Sequence, residues 1–462
     1  MPIASVNPTT GQTIDTFEPL DPHGIEECMA RAAGAFRVYR TSGFTERAGR
    51  LRAAADVLES GREETARTVT LEMGKPIGQA RAEVDKCAKA MRWFADHAAG
   101  LLADEQVDPV QAQDAGASAV VVRYRPLGPV LAVMPWNFPL WQVIRFAAPA
   151  LMAGNVVLLK HASNVPRTAL LLEQLFLRAG YPRGCFQTLL VGSDAVEHIV
   201  RDQRVAAVTL TGSESAGRAV AAVASDAVKK SVLELGGSDP FLVLPSADVE
   251  RAAQVAVTAR VQNNGQSCIA AKRFIIHSEV YERFTSAFVD RMSALRVGDP
   301  MDADTEVGPL AGESGRADLE ALVEDALRQG ARALCGAKRP ADRPDGWFYE
   351  PTVLTGIGTG MRIHQEECFG PVAALYQVGS LNEAIELANA TPFGLSSSAW
   401  TQDLAEQRIL ERDLQAGGIF FNGMTASHPA LPFGGVKRSG YGRELAAHGL
   451  REFCNLTTLW YG

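Results

Sequence analysis

The hydrophobic pattern changes character along the chain. Over the first hundred residues a short strand-like start gives way to Ala-rich segments whose apolar side chains recur at helical spacing, which predicts helices over 25–40 and 45–60. A third, over 65–73, stops at Gly74, Lys75 and Pro76, where glycine and proline end the periodicity. From about position 120 short apolar runs alternate with amphipathic stretches. Strands over 156–159, 185–191 and 205–210 are interleaved with helices over 168–179 and 214–224, and the scheme recurs as strand 241–244, helix 249–262, strand 273–277 and helix 280–295. Strand, tight turn and helix in repetition predict doubly wound parallel sheets in two consecutive α/β units with a cleft between them. The loops at 298–312 and 336–346 punctuate the second unit without dividing it. The pieces 120–124 and 456–460 read as edge strands of an exposed arm.

One stretch, 127–144, runs without a formal charge for about the length that could span a bilayer. Pro129, Pro135 and Pro139 would each remove a helical hydrogen bond, so the segment reads as buried backbone around a site. The start of the chain has no basic region followed by an apolar one, and no secretory signal is expected.

Composition narrows the class. The 462 residues allow two or three domains of roughly 100–200 residues each. With 47% hydrophobic and 21% charged residues, the chain buries enough surface to fold. The balance of 45 basic against 53 acidic side chains, with no dense basic run, argues against a nucleic-acid partner. Seven scattered cysteines, never spaced as Cys-x-x-Cys, suggest neither disulfides nor a metal site and fit the cytoplasm.

Nucleotide fingerprints fail. The turn from Gly212 to Gly217 continues as Arg218-Ala219 and is no phosphate loop of the Walker type, while Gly356, Gly358 and Gly360 precede no helix pattern. Gly212 still follows a buried strand, so a helix N-terminus can approach a pyrophosphate there. Cys268 stands apart from the other cysteines, because the loop Asn263-Asn264-Gly265-Gln266-Ser267 before it is polar and leaves its sulfur reachable. Glu234 is a carboxylate in an apolar run next to Gly236 and Gly237, suited to a salt bridge or to acid–base work. Asn137, fixed between Pro135 and Pro139, is an amide that is expensive to bury without a partner, and an oxyanion would supply one.

Taken together, PWNFP at 135–139, LTGS at 210–213, ELGG at 234–237, GQSC at 265–268, EECFGP at 366–371 and PFGGVKRSGYGRE at 432–444 resemble the aldehyde dehydrogenase superfamily, in its order and over essentially the whole chain. The resemblance implies a Rossmann-like cofactor domain over 1–106 and 126–233, an α/β catalytic domain over 234–430, and a small β oligomerisation arm from 107–125 and 449–462. It implies that Cys268 attacks an aldehyde, that Asn137 and the Cys268 N–H hold the oxyanion, and that Glu234 activates the hydrolytic water. Trp136, Lys160, Thr211, Gly212, Ser213, Glu367 and Phe369 would line the cofactor site. A homodimer or dimer of dimers is implied as well.

NAD-preferring members often carry a Glu three residues beyond the lysine that ends the second cofactor strand. Here Ser163 follows Lys160 at that distance, and a hydroxyl beside a cation accepts a 2′-phosphate, so NADP is the expected cofactor with residual NAD use. Within the superfamily the chain looks most like the short bacterial succinate-semialdehyde dehydrogenases, through Trp141, Arg145, Ser267, Ala426-Ser427 and the closing glycine-rich block. Trp141 and Arg145 are spaced i, i+4 on one helix face. Arg145 is thus expected to meet a distal substrate carboxylate, unless it pairs structurally with an acid. Ile269 follows the nucleophile, whereas some of these enzymes have a second cysteine nearby, so redox control of that kind is not expected. The alternatives are another aldehyde, such as glutarate semialdehyde or an aliphatic or aromatic one, and a non-catalytic member of the family.

Overall fold

The computed structural model describes residues 3–462 and contains two large, mostly parallel sheets. The first has the spatial order Gly440–Tyr441, Lys230–Glu234, Ala207–Thr211, Pro129–Met134, Val156–His161 and Phe186–Thr188, all parallel except the first strand. Chain order reverses beside Pro129–Met134: the path runs outward through Val156–His161 and Phe186–Thr188, then returns on the other side through Ala207–Thr211. Such a switch point opens a crevice at the carboxyl ends of the strands. The strand Val156–His161 is buried along its whole length, as a sheet covered by helices on both faces requires.

The second sheet runs Arg332–Cys335, Thr352–Thr355, Val372–Val378, Arg273–His277, Pro240–Val243, Ser396–Trp400 and Gly418–Phe421, with only the first strand antiparallel to its neighbour. Its strands Pro240–Val243 and Arg273–His277 begin just after Glu234 and Cys268. The carboxyl ends of the first sheet therefore lead to the amino ends of the second, and the candidate site lies at that junction. A third sheet pairs Cys454–Tyr461 with Ala119–Pro126 and Ala119–Pro126 with Glu105–Gln106.

The proline-bearing stretch 127–144 forms a strand, a turn and the start of the helix Trp141–Ala153, every residue of which is buried. Among the described residues no helix is long and apolar enough to cross a membrane. Residues 431–448 follow the second sheet in sequence, yet Gly440–Tyr441 pairs antiparallel with Leu233 and Glu234 and so returns the chain to the first sheet. The helix Ile77–Leu101 packs on the helices Phe44–Ser60 and Trp141–Ala153. Its buried positions recur as Ala80, Val84, Cys87, Ala88, Met91 and Phe94, a stripe at helical period.

Candidate active site

Cys268 sits in a loop whose shape is set by its own residues. The helix Val249–Val261 ends in a turn where Asn263 and Asn264 both take left-handed backbone, at φ 55° and 57°. Asparagine adopts that region more readily than other side-chain-bearing residues. Gly265 follows at φ +74°, and a Cβ there would come within 2.3 Å of the Gly370 carbonyl, so glycine alone lets the 366–371 loop lie against it. Asn263 Nδ2 donates to the Asn137 and Gln266 carbonyls at 2.7 and 2.9 Å. Asn264 Nδ2 donates to the Gly74 and Pro309 carbonyls at 2.8 and 2.9 Å.

Lys272 completes the loop, and nothing local in the sequence marks it. Its buried ammonium donates to the Ser267 carbonyl at 3.0 Å, the Cys268 carbonyl at 2.6 Å and Glu367 Oε1 at 3.0 Å. One cation thus ties the nucleophile loop to Glu367. Ser267 is fully enclosed with Oγ unpartnered, and its contact with the site runs through its carbonyl. Cys268 itself is half-buried. Burial pushes its thiol up to about 12, with Arg145 and Lys272 pulling it back down. The resting sulfur holds its proton, so the chemistry needs a base.

Asn137 follows the strand Pro129–Met134 and is 4% exposed, with Nδ2 donating to the Gln266 carbonyl at 3.1 Å and Oδ1 unpartnered. The turn that carries it is anchored by Glu83, whose Oε1 accepts from the Leu140 and Trp141 N–H groups, each at 2.9 Å. Glu83 is itself paired with buried Lys75, whose ammonium lies 4.1 Å from the Phe138 ring centre. A carboxylate at the first turn satisfies donors that no intrahelical carbonyl reaches and favours the positive end of the helix dipole.

Glu234 ends the strand Lys230–Glu234, 2% exposed, and neither carboxylate oxygen has a hydrogen-bond partner among the described residues. Burial pushes its carboxyl well above the usual range; Arg145 and Arg443 oppose the shift and Glu444 adds to it. Gly434, at φ +155°, makes room for the side chain, since a Cβ there would lie 2.8 Å from Glu234 Oε1.

Arg145 lies on the same helix as Trp141, but its guanidinium is ion-paired with buried Glu444, donates to Thr211 Oγ1 at 3.3 Å and stacks 4.7 Å over the Phe433 ring. At 2% exposure it is committed to the acid, which differs from the expected open guanidinium facing a substrate. Helical spacing could place Arg145 beside Trp141; it could not reveal that the return of the 432–444 segment delivers Glu444 to meet it. Trp141 and Ser427 do come together, with Trp141 Nε1 donating to Ser427 Oγ at 3.1 Å. Lys86, from the helix Ile77–Leu101, donates to the same hydroxyl at 2.7 Å.

The residues expected around a dinucleotide are distributed along the crevice. Trp136 and Phe369 meet edge to face at 5.7 Å, and Glu367 Oε1 also accepts from the Gly237 N–H at 3.1 Å. A Cβ on Gly236 would lie 2.2 Å from Glu367 Oε2, so the glycine pair admits this carboxylate. Thr211 ends the strand Ala207–Thr211, Gly212 follows it, and the Ser213 side chain accepts from the Ala216 N–H to start the next helix. Lys160 is the penultimate residue of the strand Val156–His161, which runs one residue beyond the expected end, and is nearly buried, with its ammonium disfavoured by burial and partly supported by Asp194. Ser163, Gly192, Asp194 and His198 line a cavity of about 670 Å³. Lys160, which has no ion pair among the described residues, lies three positions before Ser163 in the cavity wall, and a cation and a hydroxyl at that spacing suit a phosphorylated nucleotide. Among the described residues no cluster of three His, Cys, Asp or Glu is placed to hold a metal.

The chain matches the aldehyde dehydrogenase family over residues 1–459. It is 59% identical to succinate-semialdehyde dehydrogenase [NADP(+)] 1 of Mycobacterium tuberculosis, aligned over 460 residues and covering 100% of both chains. A Mycobacterium leprae protein named succinate-semialdehyde dehydrogenase, likewise NADP(+)-specified, is 58% identical with the same coverage. In structure it is similar to succinic semialdehyde dehydrogenase from Streptococcus pyogenes, solved in complex with NADP+, at a TM-score of 0.95, 34% identity and 99% of each chain covered.

Proposed function

The chain belongs to the aldehyde dehydrogenase family, and on that premise we propose that it oxidises succinate semialdehyde to succinate with NADP+. The observation that carries the chemistry is the convergence of a reachable thiol, a buried amide and a buried carboxylate free of hydrogen bonds at the junction of the two sheets. Substrate and cofactor follow the mycobacterial and streptococcal relatives.

Cys268 attacks the aldehyde carbon as thiolate, with its proton passing to a base. The Asn137 amide and the Cys268 N–H stabilise the oxygen as it gains charge. A bound nicotinamide supplies the hydride acceptor. Glu234, in its ionised form, then takes a proton from the water that hydrolyses the thioester, a role suited to a carboxylate whose burial raises its affinity for a proton. Lys160 and Ser163 would receive a 2′-phosphate, and Glu367, held by Lys272, would receive the nicotinamide ribose.

The strand Cys454–Tyr461 is an edge that exposes Leu456, Trp460 and Tyr461, which supports protomer pairing through the arm as a homodimer or dimer of dimers. Seven free thiols support a reducing, cytoplasmic setting. The test is a panel of succinate semialdehyde, glutarate semialdehyde, butanal and benzaldehyde against both cofactors, read as reduced nicotinamide. The largest kcat/KM is expected for succinate semialdehyde with NADP+. Preference for an uncharged aldehyde, or for NAD, overturns the reading.

A further inference from the structure

The structure leaves one cation unpaired beside the residues expected to meet the substrate. Lys86 lies one helical turn beyond Glu83, and its ammonium sits 4.1 Å from the Trp141 ring centre while donating to Ser427 Oγ. Among the described residues no carboxylate lies within ion-pair distance of it. Of the acids near it on its own helix, Glu83 is already engaged by Lys75 and by the Leu140 and Trp141 N–H groups, and Asp85 by Arg62. A half-buried ammonium without a counterion is costly, and a neutral hydroxyl with an aromatic face offsets only part of that cost.

The hydrogen-bond count at Ser427 gives the arrangement a direction. Its Oγ accepts from both Lys86 and Trp141 Nε1, which leaves the hydroxyl proton to donate elsewhere. Two hydrogens of the Lys86 ammonium are likewise uncommitted. The missing partner therefore has the chemistry of an anion that accepts from an ammonium and a hydroxyl side by side. The other cations whose charge reaches it, Arg145 and Lys75, are already neutralised by Glu444 and Glu83.

We propose that Lys86, with Ser427, is the receptor for the distal carboxylate of the substrate, and that it sets the preference for ω-carboxylated aldehydes. This rests on the succinate-semialdehyde reading above. Arg145 then acts behind the site, as a fixed charge shared with Glu444, and not as the substrate's direct partner.

The local field supports the assignment. Burial pushes the Lys86 ammonium down to about 8, with Arg145 and Lys75 pushing the same way and Cys87 and Glu83 opposing. A bound carboxylate would relieve this. In the free enzyme the receptor loses its charge as the pH passes through about 8.

The experiment measures kcat/KM for succinate semialdehyde and for butanal in parallel and reads their ratio. In the wild type the ratio should favour the semialdehyde and fall as the pH is raised through the Lys86 transition. In Lys86→Met it should drop about tenfold or more, the loss of one charge-assisted contact. Lys86→Arg should restore part of it and make it insensitive to pH over the same range, because a guanidinium stays charged. Equal losses on both aldehydes in Lys86→Met, or an Arg variant whose ratio keeps the wild-type pH dependence, overturn the assignment while leaving the substrate intact. A wild-type ratio favouring butanal overturns the underlying reading before any variant is made.

Discussion

Behind the nucleophile, two buried carboxyls, Glu234 and Glu444, share one guanidinium, Arg145. Arg145 can neutralise only one of them, and the ion pair goes to Glu444. Glu234 is left to hold a proton in the folded state above the 4.5 at which an ordinary glutamate releases it. The unfolded chain then binds fewer protons than the native one over that interval, so stability falls as the pH rises from the ordinary value toward the folded one. Glu234→Gln should remove this liability. Urea unfolding is expected to show the variant more stable than the wild type at about pH 8, with the gap closing toward about pH 4; a variant no more stable at the higher pH would contradict the raised carboxyl. The cysteine, the asparagine and this glutamate are legible in the sequence because each is an anomaly within five or six residues: a thiol in a polar loop, an amide between prolines, an acid in an apolar run. Lys86 and Lys272 carry no such mark. Lys86 gains its meaning from a hydroxyl 341 residues away, and Lys272 from carbonyls that its own loop folds back to present.

At the scale of elements, periodicity found the strands and helices that are buried on a regular face and misjudged their ends. The run 185–191 reads as one strand, but only Phe186–Thr188 is extended in the sheet, because the Val191 N–H turns back to the Leu189 carbonyl and Leu190 is bonded by Leu20. The helix Arg62–Met73 starts three residues before its apolar pattern does, with Glu63 and Glu64 in the first turn where the helix dipole favours acids. The segment 432–444 is legible as a glycine-rich motif but not in its shape: it folds into a loop closed by Phe433 and Glu444, which exchange backbone hydrogen bonds at 2.8 and 2.7 Å. Its Gly434 lies against Glu234, Arg443 and the Gly442 carbonyl, all within 2.9 Å of where a Cβ would stand. Gly434→Ala should therefore displace the Glu234 side chain and slow thioester hydrolysis more than acylation. Rapid-mixing kinetics are expected to show a retained burst of reduced nicotinamide followed by a steady rate at least about tenfold lower, corresponding to roughly 1.4 kcal/mol; loss of the burst itself would place the damage at Cys268.

At the scale of the whole molecule, the exposed edge Cys454–Tyr461 is a surface that a lone protomer would be poorly served to keep, since Leu456 and Trp460 are 61% and 54% exposed along it. On the proposed pairing of protomers through this arm, Trp460→Glu should lower the mass seen in light scattering coupled to gel filtration; an unchanged mass would remove the arm from the interface. The return of Gly440–Tyr441 to the first sheet bears on how the molecule is made. During synthesis the strand Lys230–Glu234 emerges without its outer neighbour, and about 200 residues of the second sheet must follow before that neighbour appears, roughly 10–40 s at about 5–20 residues per second. Through that interval the nascent chain presents an unpaired strand edge, and Arg145 waits for Glu444. The first sheet is thus among the earliest parts translated and among the last completed, which makes the partly synthesised chain the form most in need of a chaperone.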